Sequence, residues 1–267
     1  MALAYLRPQR YQTDMLNTIL HGTATDLPPL MIVHGLYGSA RNWGVIAKRL
    51  SDSRQVIAVD LRNHGQSPWH DIHTYPAMAE DLDEVVQAHG GQMDVIGHSM
   101  GGKAAMMLAL NHPGTVRRLL VADIAPVSYG HDQNQFIKAM RTVDLDTLER
   151  RSQAEEQLGA AGVDAALQSF FTQSLDIKSK RWRLNLDALE HQMPNVLAFP
   201  DGVDATFEGP ALFLSGANSD YVKPEYRPQI KSLFPQAKFA KIPGAGHWLH
   251  AEKPREFEAA ARAFLSA

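Results

Sequence analysis

Short apolar runs alternate with longer amphipathic segments through the first half of the chain. The apolar runs predict strands at residues 30–33, 55–60, 94–97 and 119–123. Between these runs, residues 39–50, 76–89 and 103–111 show the three-to-four-residue spacing of apolar positions that indicates helices. The resulting order, β-α-β-α-β-α-β, is typical of a mostly parallel sheet with helices packed on its faces.

The pattern changes after residue 124. Helix-like stretches at residues 132–142, 146–159, 163–172 and 184–192 follow one another without a convincing strand between them. Strand-like runs return at residues 211–215 and 238–242, and Pro254 precedes a final amphipathic helix. We therefore predict an α/β core that is interrupted by a helical insertion.

The composition agrees with a single globular unit. The chain has 267 residues, of which 45% are hydrophobic and 21% are charged, and its formal net charge is −3. This length is near the size at which one core stops growing, so a large domain, or a core with an inserted subdomain, is expected. The nearly balanced charge gives no overall field for nucleic acid, and none is expected as a partner. The basic run at residues 178–183 is interpreted as a solvated surface.

The chain contains no cysteine, which excludes disulfide bonds, thiolate metal ligands and a cysteine nucleophile. Nucleophilic chemistry would therefore use oxygen or nitrogen. Arg7, Pro8 and Arg10 interrupt the segment from Met1 to Arg10, so no secretory signal is expected there. No apolar stretch approaches the roughly 18 residues that a spanning helix needs. The expectation is a cytoplasmic protein without a membrane span.

The strongest chemical signal is a Gly-x-Ser-x-Gly motif at residues 97–101, where a predicted strand turns directly into a helix. Ser99 at its centre would present its Oγ at the carboxyl edge of the sheet, beside a helix N-terminus. The alternative is a glycine-rich turn with an incidental serine. The stretch also nearly matches a phosphate-binding P-loop, but Ala104 stands where that motif needs a Ser or Thr for magnesium. A nucleotide-binding protein is therefore a rival interpretation.

A serine hydroxyl needs a base to remove its proton. Among the 12 histidines of the chain, His247 is the best placed, because it follows the last predicted strand and would reach the same sheet edge as Ser99. His250 follows closely and could suggest a metal site, but no third ligand is evident. We interpret His34 and His98 as neighbours of the site rather than as the base.

The base in turn needs an acid, which for this motif lies between the serine and the histidine in chain order. Asp123 ends the strand after the serine's helix, and Asp220 lies in the loop after the next core strand. Each also has a purely structural explanation, Asp123 as a turn residue before Pro126 and Asp220 as an exposed turn acid. Spacing alone leaves both candidates open.

Two backbone N–H groups are candidates for an oxyanion hole. The loop at residues 34–38 contains glycines that let the backbone curl, so that the N–H of Leu36 and the N–H of Met100 can face one oxygen atom. Losing one such donor typically costs roughly 3–4 kcal/mol of transition-state stabilisation.

Together these segments resemble the α/β-hydrolase superfamily, and most closely its small bacterial YbfF-type esterases and their relatives in the abhydrolase-domain-containing protein 11 group. The resemblance covers nearly the whole chain and is carried by residues 34–39, 60–67, 97–103, 123–127, 216–219 and 246–254. It implies an α/β-hydrolase fold with a mostly parallel central sheet, and a serine carboxylesterase with a Ser-Asp-His triad.

The resemblance also implies a helical cap, with the core at residues 1–125 and 208–267 and the cap at residues 126–207. In many α/β-hydrolases the acid follows the next-to-last strand, but Ser219 stands at that place here. The YbfF type takes its acid from the strand before the cap, which favours Asp123 over Asp220. Aromatic residues of the insertion would roof the pocket or pack inside the cap: Tyr129, Phe136, Phe170, Phe171, Trp182 and Phe199.

In the expected reaction, Ser99 attacks the carbonyl of a small to medium ester, His247 carries the proton and Asp123 orients His247. This chemistry needs no cofactor or metal. A thioesterase, a C–C bond hydrolase or a perhydrolase would use the same residues with a different pocket. A non-catalytic ligand-binding protein of this fold could keep all of them. No oligomeric state is predicted.

Overall fold

The computed structural model describes residues 15–131 and 133–267. The segment from Met1 to Arg10, where no secretory signal is expected, lies outside these residues. In chain order, the first half forms β1 (Thr18–His21), β2 (Leu30–Val33), α1 (Gly44–Leu50), β3 (Val56–Val59), α2 (Tyr75–Ala88), β4 (Met93–His98), α3 (Met100–Asn111) and β5 (Val116–Ala122). A 3-10 helix, Ala40–Trp43, precedes α1.

The alternation predicted for the first half is confirmed, with two differences. The strand β1 is additional; it is antiparallel to β3 and half-exposed, and its four residues form no apolar run that could announce it. The helix α3 begins at Met100 rather than at Lys103. The two glycines in its first turn have poor helix propensity, which hides this start from sequence analysis.

The insertion lies between β5 and the next core strand. It consists of α4 (Asn134–Arg141), α5 (Arg151–Ala160), α6 (Ala165–Thr172), β6 (Leu175–Asp176), β7 (Arg181–Trp182), α7 (Leu186–His191) and α8 (Met193–Leu197), with a 3-10 helix at Leu145–Thr147. Its helical character is confirmed, but the expectation that it contains no strand is wrong. β6 and β7 form a short antiparallel pair, and two residues per strand are too few to show alternation.

The basic run at residues 178–183 is solvated only in part. Its first four residues are exposed, as predicted. Trp182 is buried instead, and its Nε1 donates to the backbone oxygen of Met140 at 3.0 Å. Arg183 is half-buried and pairs with Asp176 at 2.8 Å. The run therefore also holds the β6–β7 pair against α4.

The last part of the chain completes the sheet. It forms β8 (Ala211–Gly216), a 3-10 helix (Pro224–Tyr226), α9 (Arg227–Leu233), β9 (Ala237–Ile242), α10 (Leu249–Glu252) and α11 (Pro254–Ser266). Within the described residues, seven strands form one sheet in the order β1-β3-β2-β4-β5-β8-β9, and β1 alone among them pairs antiparallel. The predicted mostly parallel sheet is confirmed.

Two apolar clusters cover the two faces of this sheet. Residues of α2, α3 and α9 pack on one face together with apolar residues of the insertion, whereas α1 and α11 pack on the other face. β2, β3, β4 and β8 are buried along their whole length, as expected for strands covered on both sides. In the part of the chain that is described, no helix is long and apolar enough to cross a membrane.

Candidate active site

Parallel register brings Ser99 and Asp123 to the same edge of the sheet. His98, the last residue of β4, pairs with Ala122, the last residue of β5. Ser99 and Asp123 are the next residues along each strand, and the N–H of Ser99 donates to the oxygen of Ala122 at 3.0 Å. The carboxyl ends of parallel strands are where loops assemble ligand and catalytic sites in this class of sheet.

Ser99 has the strained backbone that its motif predicts. Its φ is 51° and its ψ is −122°, a conformation that non-glycine residues rarely adopt. The turn brings the backbone segments very close together, and glycine is needed where they meet. A Cβ on Gly97 would lie 2.4 Å from the oxygen of Gly101, and a Cβ on Gly101 would lie 2.3 Å from the oxygen of His34. Any side chain at these two positions would push the serine out of place.

Asp123 is fully buried and accepts three hydrogen bonds. Its backbone also has a positive φ, 53°. The N–H of Gly216 donates to Oδ1 at 3.1 Å, and the Oγ of Ser219 donates to Oδ2 at 2.5 Å. Oδ2 also lies 2.8 Å from Nδ1 of His247. These donors replace the water that a buried carboxylate loses.

His247 links the acid to the serine. Its Nε2 lies 3.1 Å from the Oγ of Ser99, although the two residues are 148 positions apart in the chain. Because Nδ1 faces a carboxylate, the neutral imidazole carries its proton there and Nε2 is the acceptor for the serine hydroxyl. The ring of Tyr221 stacks on the imidazole with centroids 4.1 Å apart. The stacking restricts rotation of the His247 ring.

Of the two candidate acids, Asp123 is the one whose carboxylate contacts His247. Asp220 is exposed. Ser219, at the other position where the resemblance to α/β-hydrolases would place an acid, donates its hydroxyl to Asp123 instead. In the sequence, Ser219 is only a departure from the pattern, and the stacking role of Tyr221 was not predicted. The only feature of the sequence that points to Ser219 and Tyr221 is their position in the loop after β8.

The two predicted oxyanion donors lie on the wall of the same cavity as Ser99. Met100 is the first residue of α3, so its N–H has no acceptor inside the helix. Leu36 lies in the loop after β2, which is paired with β4 in parallel register. Both N–H groups are therefore carried by the segments that flank the serine.

Three further histidines lie beside the site. Burial lowers the pKa of His34 and His98, and it lowers the pKa of His250 to about 3, so all three are neutral. His98 Nε2 lies 2.9 Å from the backbone oxygen of His247, and His250 stacks on Trp43 at 4.0 Å. His34 and His98 are neighbours of the site, as predicted. Among the described residues there is no group of three or more side chains that could hold a metal ion.

The site opens into a cavity of about 270 Å³. Four of the six aromatic residues predicted for a roof contribute to its wall, namely Tyr129, Phe136, Phe170 and Phe171. Trp182 and Phe199 are buried in the large apolar cluster. Apolar and aromatic side chains therefore form much of the cavity wall, which also contains Ser99, His247 and other polar residues.

Lys103, whose place in the motif raised the P-loop interpretation, also reaches the cavity wall. It is almost fully buried, and its Nζ donates to the backbone oxygens of Leu197 at 3.0 Å and Ala198 at 2.6 Å. The Nζ lies 4.8 Å from the ring centroid of Tyr129. Burial lowers the pKa of Lys103 to about 7. The amino group of Lys103 thus donates to the end of the insertion rather than being directed at a phosphate site.

Comparison with known proteins agrees with this architecture. Residues 28–254 match the model of the alpha/beta hydrolase fold family. The chain is 40% identical over 259 residues to the mouse "sn-1-specific diacylglycerol lipase ABHD11", covering 93% of this chain and 84% of that protein. It is 39% identical over 248 residues to Escherichia coli "Esterase YbfF", covering 89% of this chain and 93% of that protein.

A solved structure described as "Marine microorganism esterase" superposes with a TM-score of 0.88 at 40% identity, covering 94% of this chain and 99% of that one. The chain therefore belongs to the α/β-hydrolase family, and it is a hydrolase. Within that family, the relatives near 40% identity include esterases and a lipase, which confirms the expected resemblance to the YbfF and abhydrolase-domain-containing protein 11 group.

Proposed function

We propose that the protein is a serine carboxylesterase that hydrolyses small to medium acyl esters through an acyl-enzyme on Ser99. One observation carries this proposal: an unbroken hydrogen-bonded path runs from the Oγ of Ser99 through both nitrogens of His247 to the carboxylate of Asp123. Such a path activates a hydroxyl that is otherwise a weak nucleophile.

In the first half of the proposed reaction, the Oγ of Ser99 attacks the ester carbonyl and Nε2 of His247 takes the hydroxyl proton. The carbonyl oxygen becomes negatively charged and accepts hydrogen bonds from the N–H groups of Leu36 and Met100. Asp123 stabilises the imidazolium that forms. The tetrahedral intermediate collapses, the ester C–O bond breaks, and His247 gives its proton to the leaving alkoxide.

In the second half, water attacks the acyl-enzyme. His247 takes a proton from this water as the new C–O bond forms, and the same two N–H groups hold the second oxyanion. Collapse of this intermediate breaks the bond to the Oγ of Ser99, which regains its proton from His247. The products are a carboxylic acid and an alcohol, and no cofactor takes part.

The cavity supports esters of modest size. Its volume of about 270 Å³ lies just below the range of about 300–1,000 Å³ that is typical of ligand pockets, and aromatic side chains from the insertion form part of its wall. Because the insertion contributes to the cavity wall, we also propose that residues 126–207 form a cap over a core made of residues 1–125 and 208–267. A thioester could enter the same pocket and react at the same serine. A cytoplasmic location remains a prediction.

The test is hydrolysis of p-nitrophenyl esters from acetate to octanoate by the wild type, by Ser99→Ala and by Ser53→Ala, a control at an exposed serine. We expect Ser99→Ala to lose at least about 10³-fold in kcat and the control to match the wild type. A fluorophosphonate should label the wild type and not Ser99→Ala. An unlabelled, inactive wild type would instead support a non-catalytic ligand-binding protein, and stabilisation by Mg-ATP would support nucleotide binding.

Comparing oxygen esters with matched thioesters in the same assay separates the esterase from a thioesterase. A ratio of kcat/KM values that favours the thioester throughout the chain-length series would overturn the esterase proposal while leaving the nucleophile in place. Carbon–carbon bond substrates and peracid formation are distinguished in the same way, by substrate rather than by variant.

A further inference from the structure

The loop that carries Leu36 is fixed by an unusual backbone. Tyr37, the next residue, has a φ of 63°, in the left-handed region that costs a non-glycine residue about 1–2 kcal/mol. A conformation of this kind persists only where the surroundings hold it. Specific bonds to this loop therefore decide where the N–H of Leu36 points.

The first set of bonds holds the peptide between Gly35 and Leu36. Its oxygen accepts from the N–H of Gly38 at 3.0 Å and lies 2.8 Å from Nδ1 of His34. The N–H of Leu61 donates to Nε2 of His34 at 3.0 Å, so the neutral ring carries its proton on Nδ1 and donates it to Gly35. Because a trans peptide is planar, the Leu36 N–H points away from these donors.

The second set of bonds holds Tyr37 from two sides. Its N–H donates to Nε2 of His64 at 3.2 Å, and its backbone oxygen accepts from the Oγ of Ser174 at 3.0 Å. His64 belongs to the core and is fully buried. Ser174 belongs to the insertion, between α6 and β6, and is 2% exposed. Tyr37 lies in the loop at residues 34–38, which carries Leu36 and is called the oxyanion loop below. Its backbone is thus hydrogen-bonded to one side chain from the core and one from the insertion.

The insertion is firmly seated at this point. Leu184 forms an antiparallel bridge with His64, and the N–H of Asn185 donates to the oxygen of Asn63 at 3.0 Å. The side chains of Asn185 and Asn63 are also hydrogen-bonded, at 3.0 Å. The loop that supplies His64 is therefore fixed by the same segment of the insertion that follows Ser174.

We propose that Ser174 is a positioning residue for ester hydrolysis: its hydroxyl, together with His64, holds Tyr37 so that the N–H of Leu36 stays directed at the oxyanion. The insertion then contributes to the chemical step through the oxyanion loop, in addition to forming part of the cavity wall. This inference rests on the proposed function, and in particular on Leu36 as an oxyanion donor.

The test compares Ser174→Ala and Ser174→Thr with Ser169→Ala, a control at an exposed serine of α6. We expect Ser174→Ala to lower kcat about tenfold while KM changes less than about twofold, because the lost bond positions the N–H of Leu36, and that N–H stabilises a substrate oxygen that is charged only in the transition state. Affinity for a trifluoromethyl ketone, which forms a tetrahedral oxyanion adduct, should fall by a similar factor. Ser174→Thr, which keeps the hydroxyl, should recover most of the rate.

A purely structural role predicts a different outcome. In that case Ser174→Ala would lower the melting temperature but leave the kcat of the folded protein and the trifluoromethyl ketone affinity at their wild-type values, and the inference would be wrong. If Ser174→Ala does not fold, His64→Leu, which removes the acceptor of the Tyr37 N–H, tests the hold on Tyr37 from the core side with the same expected split between kcat and KM. Failure of fluorophosphonate to label the wild type would overturn the proposed function itself and is a separate result.

Discussion

The Oγ of Ser219 lies 2.5 Å from Oδ2 of Asp123, the same carboxylate oxygen that faces His247. Asp123 therefore orients the imidazole from a position that is itself fixed by a hydroxyl from the loop after β8. The N–H of Gly216 holds the other carboxylate oxygen. With both oxygens engaged, the plane of the carboxylate cannot rotate away from His247 without breaking a hydrogen bond.

Ser219→Ala should lower kcat about tenfold with little change in KM, because a charge-assisted hydrogen bond that fixes Asp123 is lost. Steady-state kinetics on a p-nitrophenyl ester measures this effect. Asn218→Ala, at the exposed neighbouring position, is the control and should match the wild type. A Ser219→Ala variant with the wild-type kcat would show that Gly216 and His247 suffice to hold the carboxylate.

The two candidate acids should respond very differently to an amide substitution. Asp123→Asn places a neutral side chain opposite Nδ1 of His247 and disfavours the tautomer that accepts the serine proton, so we expect kcat to fall roughly 10³–10⁴-fold. Asp220→Asn, at an exposed position, should stay within about twofold of the wild type. The reverse result in the same kinetic assay would assign the acid to Asp220.

The parts of this site that sequence could predict are those encoded locally. Ser99 is indicated by the glycines on both sides of it. His247 is indicated by its place after the last strand, because the carboxyl ends of parallel strands meet at one edge of the sheet. Spacing could not separate Asp123 from Asp220, because both follow core strands. Their difference lies in side-chain direction and burial, which depend on the whole fold.

Contacts between distant loops left no periodic signal. The hydroxyl of Ser174 meets the backbone of Tyr37 across 137 positions, and the hydroxyl of Ser219 meets Asp123 across 96. A serine is common in any loop, so neither residue stands out in the sequence. The strands β6 and β7 are also too short to be recognised from the sequence, although they form the antiparallel pair that begins directly after Ser174.

Lys103 should make stability rise with pH above neutrality. Its pKa is lowered from 10.5 to about 7 by burial, so between these values the unfolded chain binds a proton that the folded protein does not. The free energy of unfolding then increases by up to about 1.4 kcal/mol per pH unit in this window. Urea unfolding at pH 7.5 and pH 9 measures this gain. Between these two pH values, the increase in the free energy of unfolding should be about 2 kcal/mol smaller in Lys103→Met than in the wild type.

The interval from pH 7.5 to pH 9 lies below the pH at which tyrosine side chains lose their protons, so tyrosine ionisation does not contribute to the expected slope. Tyr75 and Tyr129 face the Nζ of Lys103, and burial raises the pKa of both tyrosines above the ordinary value of 10. Lys178→Met, at an exposed lysine, is the control and should keep the wild-type slope. Equal slopes for Lys103→Met and the wild type would contradict the expected deprotonation of Lys103 in the folded protein.

His250 should make the protein sensitive to acid. Burial and the neighbouring His247 lower its pKa from 6.5 to about 3, so the folded protein excludes a proton that the unfolded chain binds below pH 6.5. The stability that this neutral ring contributes is present above pH 6.5 and is lost, at about 1.4 kcal/mol per pH unit, as the pH falls towards 3.

His250→Phe should remove this part of the acid sensitivity while keeping a ring against Trp43, on which His250 stacks at 4.0 Å. Between pH 7 and pH 5, urea unfolding should show a loss of stability about 2 kcal/mol smaller in His250→Phe than in the wild type. His191→Gln, at an exposed histidine, should leave the wild-type difference unchanged. His73, whose burial lowers its pKa to about 3 as well, is present in all three proteins and so cancels in the comparison. An unchanged pH dependence in His250→Phe would mean that His250 takes up its proton in the folded protein as readily as in the unfolded chain.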